Sequence, residues 1–297
     1  MEIWNSYCHF KSPVFLFLYL MKKITITFFL VLVCSVILSA QQDSLHIYQI
    51  KYEKTITLTG SSRPFKSDYE YTKFIELEKS IFSKVTKTPN TNTSEMSEDD
   101  DAIFFYTSSG KNTNTVYKDY NENSFFAKHQ LTSRYFLVKE DLDVFDWEIS
   151  DTTKYILGYS CQLATTKYRG RTFKAWFTSD LPIGGPYKYD GLPGMILEIE
   201  STDGFIKFEA YGIKNSAVVQ GENEIENPFK SKDAYSWEDF SALYKKKALE
   251  LINYRPSENA LGTTISRCAI ECYIKEDDKE YNEAIASQQK KISRYKN

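Results

Sequence analysis

Apolar and polar residues alternate with a period of two along residues 45–59. His46, Tyr48, Ile50, Tyr52, Ile56 and Leu58 share one phase, and Gln49, Lys51, Glu53, Thr55 and Thr57 the other. Successive side chains of a strand point to opposite faces, so this run predicts a long, half-buried antiparallel strand. Gly60-Ser-Ser-Arg-Pro64 turns it, residues 69–77 alternate again, and Ser80-Ile-Phe-Ser83 follows. Short strand-like runs then recur at 102–107, 115–120, 125–131, 133–139 and 144–149. They are separated by breaks at Gly110-Lys-Asn, Asn121-Glu-Asn and Asp151-Thr-Thr. That rhythm predicts a meander. Tyr155, Leu157, Tyr159, Cys161 and Leu163 share a phase, Arg169-Gly170 makes a turn, and 172–178 returns with Phe173, Ala175 and Phe177 inward. Residues 195–201 and 205–213 form a hairpin across Thr202-Asp-Gly204.

The period changes once. Trp237, Phe240, Tyr244, Ala248 and Leu251 follow helical spacing behind Ser236, whose hydroxyl is suited to cap a helix, with Asp239 three residues on. The expected fold is mainly β (α+β), a curved antiparallel sheet or half-barrel with a C-terminal helix packed on it. It is similar to half-barrel lipoprotein-carrier folds, and a β-sandwich or closed barrel is the alternative. Residues 41–260 are expected to form a single β-rich domain, and 261–297 a charged tail.

Residues 181–194, Leu-Pro-Ile-Gly-Gly-Pro-Tyr-Lys-Tyr-Asp-Gly-Leu-Pro-Gly, hold four of the chain's 12 glycines and three of its 8 prolines. A flexible linker would carry few large side chains, whereas this segment has Ile183, Tyr187, Tyr189 and Leu192. It is expected to be a rigid, packed loop. Gly184, Gly185, Pro186, Gly191, Pro193 and Gly194 are its structural residues, since glycine and proline together dictate one irregular backbone path.

This block, with Gly191-Leu-Pro-Gly-Met-Ile196 at its end and Gly158-Tyr-Ser-Cys-Gln-Leu-Ala164 upstream, resembles the signature of the GLPGLI family, with Met195 in place of Leu. The resemblance covers roughly residues 155–213. It implies a secreted or envelope protein of a Gram-negative bacterium with no established activity, so it brings no catalytic residues with it.

The N-terminus adds to that picture. Met21-Lys-Lys is a positive n-region, 24–38 an apolar core, and Leu38-Ser-Ala40 a small-residue cleavage site. Residues 1–40 are therefore expected to be a signal peptide, with 1–20 as upstream extension, and the chain to be exported to the periplasm, the outer membrane or the medium. Loss of Lys11, Lys22, Lys23 and Glu2 reduces the chain's 37 basic and 40 acidic residues to 34 and 39, a net charge of −5. A mildly acidic chain with no basic stripe excludes nucleic acid as the expected partner. Three cysteines remain after maturation, Cys161, Cys268 and Cys272. Disulfide or buried apolar thiol is the expectation for them, and Cys161 is read as structural because it shares the apolar phase of its strand.

Chemistry is sparse. The sequence has no Gly-x-Ser-x-Gly elbow, no His-Glu-x-x-His, no phosphate loop and no dinucleotide fingerprint. His46 lies in the apolar phase of the first strand and is expected to be a satisfied core or rim histidine, and His129, next to Lys128 near a turn, to be at the surface. The acidic stretch around Glu95–Asp101 lacks the spacing of a calcium loop, so no metal or cofactor is expected. Asp180, Asp190, Glu198 and Glu200 flank the Gly/Pro loop; loop capping and solvated strand faces suit them better than acid–base work. Trp176, Tyr187, Lys188, Tyr189, Asp190 and Leu192 are the candidate binding residues, because aromatic and charged groups on a fixed loop suit recognition. The expected function is a non-enzymatic envelope protein binding a protein, peptide or apolar, lipid-like ligand through the concave sheet and the 181–194 loop. A carboxylate-dependent hydrolase and a structural component of a surface complex are the alternatives.

Overall fold

The structure, a computed structural model, describes residues 21–23, 44–58, 63–85, 113–219, 226–229, 233–253 and 266–295. The expected signal sequence, the 102–107 strand and the acidic stretch before it lie outside or almost wholly outside these residues. One compact unit comprises Leu45–Val218 and Asn223–Asn297 and contains the elements described below apart from the end residues Ser44 and Val219.

Among the described residues eleven strands form one antiparallel sheet: β1 (Ser44–Ile56), β2 (Phe65–Phe74), β3 (Lys79–Lys84), β4 (Thr115–Asp119), β5 (Ser124–Leu131), β6 (Arg134–Asp141), β7 (Glu148–Ile156), β8 (Tyr159–Tyr168), β9 (Arg171–Thr178), β10 (Met195–Ser201) and β11 (Ile206–Val219). Their spatial order is β6-β5-β4-β3-β2-β1-β11-β10-β9-β8-β7. Two meanders thus join at β1 and β11, and the sheet is not closed. The edge strands β6 and β7 are consecutive in the chain, joined only by residues 142–147. A flat sheet would separate its edges by ten strand spacings, about 48 Å. The link reaches at most about 25 Å, so the sheet must roll. The expected strongly curved antiparallel sheet is what forms, and its concave face holds the main core: Ile50, Tyr52, Tyr71, Phe82, Phe125, Phe173, Phe177 and Phe208 among others.

The helix forms as its spacing predicts, as α1 (Trp237–Asn253). Ser236 Oγ accepts the Asp239 amide at 3.0 Å and donates to the Asp239 carboxylate at 2.9 Å. Its buried stripe is Phe240, Tyr244, Ala248 and Ile252, a run of i, i+4 steps, so Ile252 takes the place expected of Leu251. With Leu131, Val138, Ile274 and Tyr281 this stripe makes a second core. A last helix, α2 (Lys279–Tyr295), lies in the charged tail.

Three strand expectations are corrected. Residues 144–147 belong to the β6–β7 link, and β7 begins at Glu148. Asp151-Thr-Thr lies inside β7, at the place where its register with β8 shifts, because an irregularity of pairing bends a strand without ending it. The apolar run through 155–163 is broken by a two-residue turn at Leu157 and Gly158, with φ 51° and 86°. A leucine in the left-handed region carries no turn signal of its own, so the hairpin was invisible.

Candidate functional site

The 181–194 loop leaves β9 and returns to β10 by passing through the concave side of the sheet. Tyr52 Oη donates to the Ile196 carbonyl just beyond it at 2.5 Å, and Tyr71 Oη to the Ile183 carbonyl at 2.7 Å. Both tyrosines are fully buried, so these bonds hold the loop against β1 and β2 from inside. From the β6–β7 link, Trp147 Nε1 donates to the Asp190 carbonyl at 2.7 Å. Gly191 needs its glycine, with φ 86°. Gly194 needs it for another reason: a side chain there would run into the Thr178 carbonyl.

Two buried ionic groups anchor the loop. In the first, Lys118 Nζ on β4 donates to Asp190 Oδ2 at 2.8 Å and to the Gly185 carbonyl at 2.9 Å. Tyr120 Oη adds a bond to Asp190 Oδ2 at 2.9 Å. Burial pulls the Lys118 ammonium below the ordinary lysine value while Asp190 opposes it. In the second group Lys188 Nζ lies 2.9 Å from Glu140 on β6 and 3.1 Å from Glu271. Arg169, in the β8–β9 turn, contacts the same two carboxylates at 2.5 and 2.7 Å and stacks 3.3 Å over Trp237 of α1. Burial pushes the Glu271 carboxyl up, but Lys188 and Arg169 outweigh it and hold it below the usual carboxylate value. His129 on β5 borders this group. Its Nδ1 is 3.0 Å from Tyr273 Oη, its Nε2 has no hydrogen-bond partner, and burial lowers its pKa to about 4.

The donor atoms of His129, Glu140 and Glu271 lie within 4.8 Å of one another, close enough to suggest metal ligation. The chemistry does not favour it. Two carboxylates already face two cations, so the charge is balanced and a metal ion would have to displace Lys188 and Arg169. Glu271 is delivered by residues 266–274, which the Cys268–Cys272 disulfide ties into a tight loop. Cys272 N donates to the Arg169 carbonyl at 3.0 Å and Arg171 Nη2 to the Ala269 carbonyl at 2.7 Å. Arg171 also pairs with Asp203.

The candidate binding residues separate. Lys188, Tyr189, Asp190 and Leu192 are buried in the interior, and half-buried Tyr187 stacks on Phe208. Trp176 lies elsewhere: it pairs with Leu163 and Glu198 on the outer face of the sheet, under Lys154 Nζ at 4.5 Å. Of the four acids flanking the loop, Asp190 serves as its internal anchor and cap, also accepting the Gly191 amide at 3.1 Å. Glu198 is held by Lys154 at 2.7 Å. Cys161 is fully buried and free, with its thiol raised by burial.

His129 is a correction, being buried rather than at the surface. Phe125, Ala127, His129 and Leu131 share a strand phase, a signal that outweighs the charge of its neighbour Lys128. His46 is at a rim: exposed, with Nδ1 2.6 Å and its amide 2.9 Å from the Glu76 carboxylate. There the loop reaches open space. Pro182 and Ile183, with Tyr48, Lys73, Ile75 and Asn215, border a half-open depression of about 360 Å³ at the end of the concave face. Lys118, Glu140, Arg169 and Glu271 were not singled out from the sequence, since nothing in their spacing marks residues brought together from distant parts of the chain.

No helix among the described residues is long and apolar enough to cross a membrane. No curated protein matches the chain. Among solved structures, PNGF-II in its C2 crystal form is 16% identical with a TM-score of 0.42, covering 68% of this chain and 32% of that one. The P21 form of PNGF-II is 14% identical with a TM-score of 0.43, covering 68% and 34%. An uncharacterized conserved protein from Thermus thermophilus is 6% identical with a TM-score of 0.32, covering 64% and 88%. The match spans about a third of the PNGF-II chains. The GLPGLI family is not among the matches. Residues 111–239, which include the whole 181–194 loop, match the profile of the PNGase F-II family described as "N-glycanase peptide, N-terminal domain".

Proposed function

We propose that this chain is an exported, non-catalytic protein of the cell envelope that binds its ligand where the 181–194 loop meets the end of the concave sheet. The observation that carries the reading is the use already made of the loop's acidic and basic groups. Asp190 is bound to Lys118 and Tyr120, and Lys188 to Glu140 and Glu271. Groups committed to buried pairs are poor general acids or bases, because releasing them leaves an uncompensated charge in the interior. The middle of the concave face is filled by Tyr187, Tyr189 and Leu192, and at Pro182 a half-open depression is one place among the described residues where loop and sheet together face solvent. The charged, apolar and small-residue pattern of residues 21–40 supports export. The relative's description as an N-glycanase domain adds glycans to the ligand classes worth testing beside protein, peptide and lipid-like molecules.

The test uses the mature chain, made in an exporting host and checked by mass spectrometry for an N-terminus at Gln41. It is incubated with an N-glycosylated glycoprotein, a peptide and a fatty acid, and both binding and product release are followed. Binding of one class without turnover is expected. Release of glycan or cleaved peptide would sink the non-catalytic reading, and a cytoplasmic full-length pool would sink export.

A further inference from the structure

We propose that Lys54 is a site of covalent carbonyl capture, where its side-chain amine condenses with the aldehyde of a neutral, apolar molecule. The site lies about 20 Å along β1 from Tyr48 and does not depend on the binding reading above.

Lys54 differs from the other lysines turned into the roll. Ile50 and Tyr52 fill the core from the inner face of β1, and Lys54 continues their phase, paired with Ser67 where Tyr52 pairs with Tyr69. Lys73, Lys118 and Lys188 are buried too, and each has a carboxylate oxygen near Nζ, at 2.7, 2.8 and 2.9 Å. Lys54 has none among the described residues. Its Nζ instead stands 5.3 Å from the ring centre of Tyr69 and 5.8 Å from that of Phe208 on β11, with Phe82 stacked on Tyr69 at 4.9 Å. The titratable groups facing it are Lys84 of β3, which pairs with Tyr69, and Tyr69 itself, whose phenol is pushed up to about 12 by burial and so stays neutral.

An ammonium in that position is disfavoured twice. Burial strips its water and Lys84 repels it; together they outweigh the attraction of the two rings and lower the Lys54 pKa to about 8. Desolvation and a neighbouring cation are conditions that make a lysine a nucleophile near neutral pH. At pH 7.4 such an amine is unprotonated in roughly one molecule in five, against roughly one in a thousand for an ordinary lysine. Lower basicity offsets part of that gain and leaves an advantage in rate of about tenfold or more. Lys54 is only partly buried, which leaves a path from solvent.

The chemistry closes on these groups. The amine lone pair attacks the carbonyl carbon while the carbonyl oxygen takes up a proton, giving a carbinolamine, and loss of water then forms the imine. No oxidant or reductant is consumed. The imine is neutral, so capture removes the charge that burial disfavours and sets the body of the aldehyde against the rings of Tyr69 and Phe208.

Reductive trapping tests the assignment. The mature chain is treated with benzaldehyde and cyanoborohydride at pH 7.4, and the adducts are mapped by peptide mass spectrometry. Lys54 should be labelled at least about tenfold faster than the exposed Lys51. Its rate should level off above about pH 8 rather than climb on to about pH 10 as a solvated lysine's does. Lys84→Gln should slow Lys54 labelling about twofold or more, by removing the repulsion. Lys54→Met should abolish the adduct and melt no lower than the parent, because it deletes a charge that has no partner. Labelling no faster than that of Lys51, or a plateau only near about pH 10, overturns the proposal. A Lys54→Met protein that melts well below the parent does the same, since it would reveal a lost partner. 4-Carboxybenzaldehyde is the charged counterpart. If it gives a larger Lys54-to-Lys51 ratio than benzaldehyde, Lys54 and Lys84 form an anion site and the apolar class falls.

Discussion

Lys188 and Glu271, 83 residues apart in the chain, meet with both side chains almost wholly buried and Nζ 3.1 Å from each carboxylate oxygen. This contact ties the Gly/Pro loop to the disulfide-bounded segment, and Glu140 and Arg169 extend it to β6 and the β8–β9 turn. Lys188→Ala would leave two buried carboxylates facing Arg169 alone and should cost about 3–5 kcal/mol. Lys188→Met combined with Glu271→Leu should cost less than the sum of the two single changes, because the unpaired charge disappears with its partner. Chemical denaturation of the wild type, Lys188→Ala, Lys188→Met, Glu271→Leu and the double variant checks both statements; strict additivity would show that the pair is not coupled.

Acid should unfold this protein by a traceable route. Burial holds His129 at about 4 against an ordinary value of 6.5, so between those values the unfolded chain takes up a proton that the folded chain refuses. The contribution is therefore fully present above pH 6.5 and lost as pH falls towards 4, by at most roughly 3 kcal/mol. Glu271, held below the usual carboxylate value, adds a loss in the same direction as its folded pKa is approached from above. The slope of melting temperature against pH over this window should flatten in His129→Gln. An unchanged slope would remove His129 from the account.

Within the loop the two glycine positions should differ in kind. Gly191→Val places a β-branched residue at φ 86° and should cost about 1–3 kcal/mol in strain, its Cβ meeting Trp147 and the Phe145 carbonyl only at ordinary contact distance. Gly194→Val meets the Thr178 backbone and should be the more damaging, since the β9 end must shift to admit it. Asp190→Asn leaves the Lys118 ammonium, only 1% exposed, without its counter-charge and should be as costly as either. Thermal denaturation orders the three, and a silent Asp190→Asn would argue against Lys118 being charged in the fold.

Thiol labelling should separate the three cysteines of the mature chain. Cys161 should resist alkylation until the protein unfolds, because it is buried and its thiol is raised by burial. Cys268 and Cys272 should label only after reduction. Opening that short loop should cost roughly 2 kcal/mol on chain entropy alone. Rapid labelling of Cys161 in the untreated protein would reopen its reading as structural.

Much of the scaffold was legible in the chain itself. The two-residue phase of Tyr48, Ile50 and Tyr52, the inward set Phe173, Ala175 and Phe177, and the capped helix at Ser236 are local patterns, and local geometry alone assigns them a face. The density of glycine and proline in 181–194 likewise marked a rigid loop without any knowledge of its surroundings. What that loop packs against could not be read, because Lys118, Glu140, Arg169 and Glu271 reach it only when an eleven-stranded sheet rolls around it. The roll itself is a consequence of topology: the short link of residues 142–147 joins the strands at opposite edges, a constraint that exists only once the strand order is known. Burial then decided the chemistry. In solution Lys188 and Asp190 are ordinary surface charges suited to a binding rim, whereas inside the roll, at low dielectric, the same charges persist only as paired anchors.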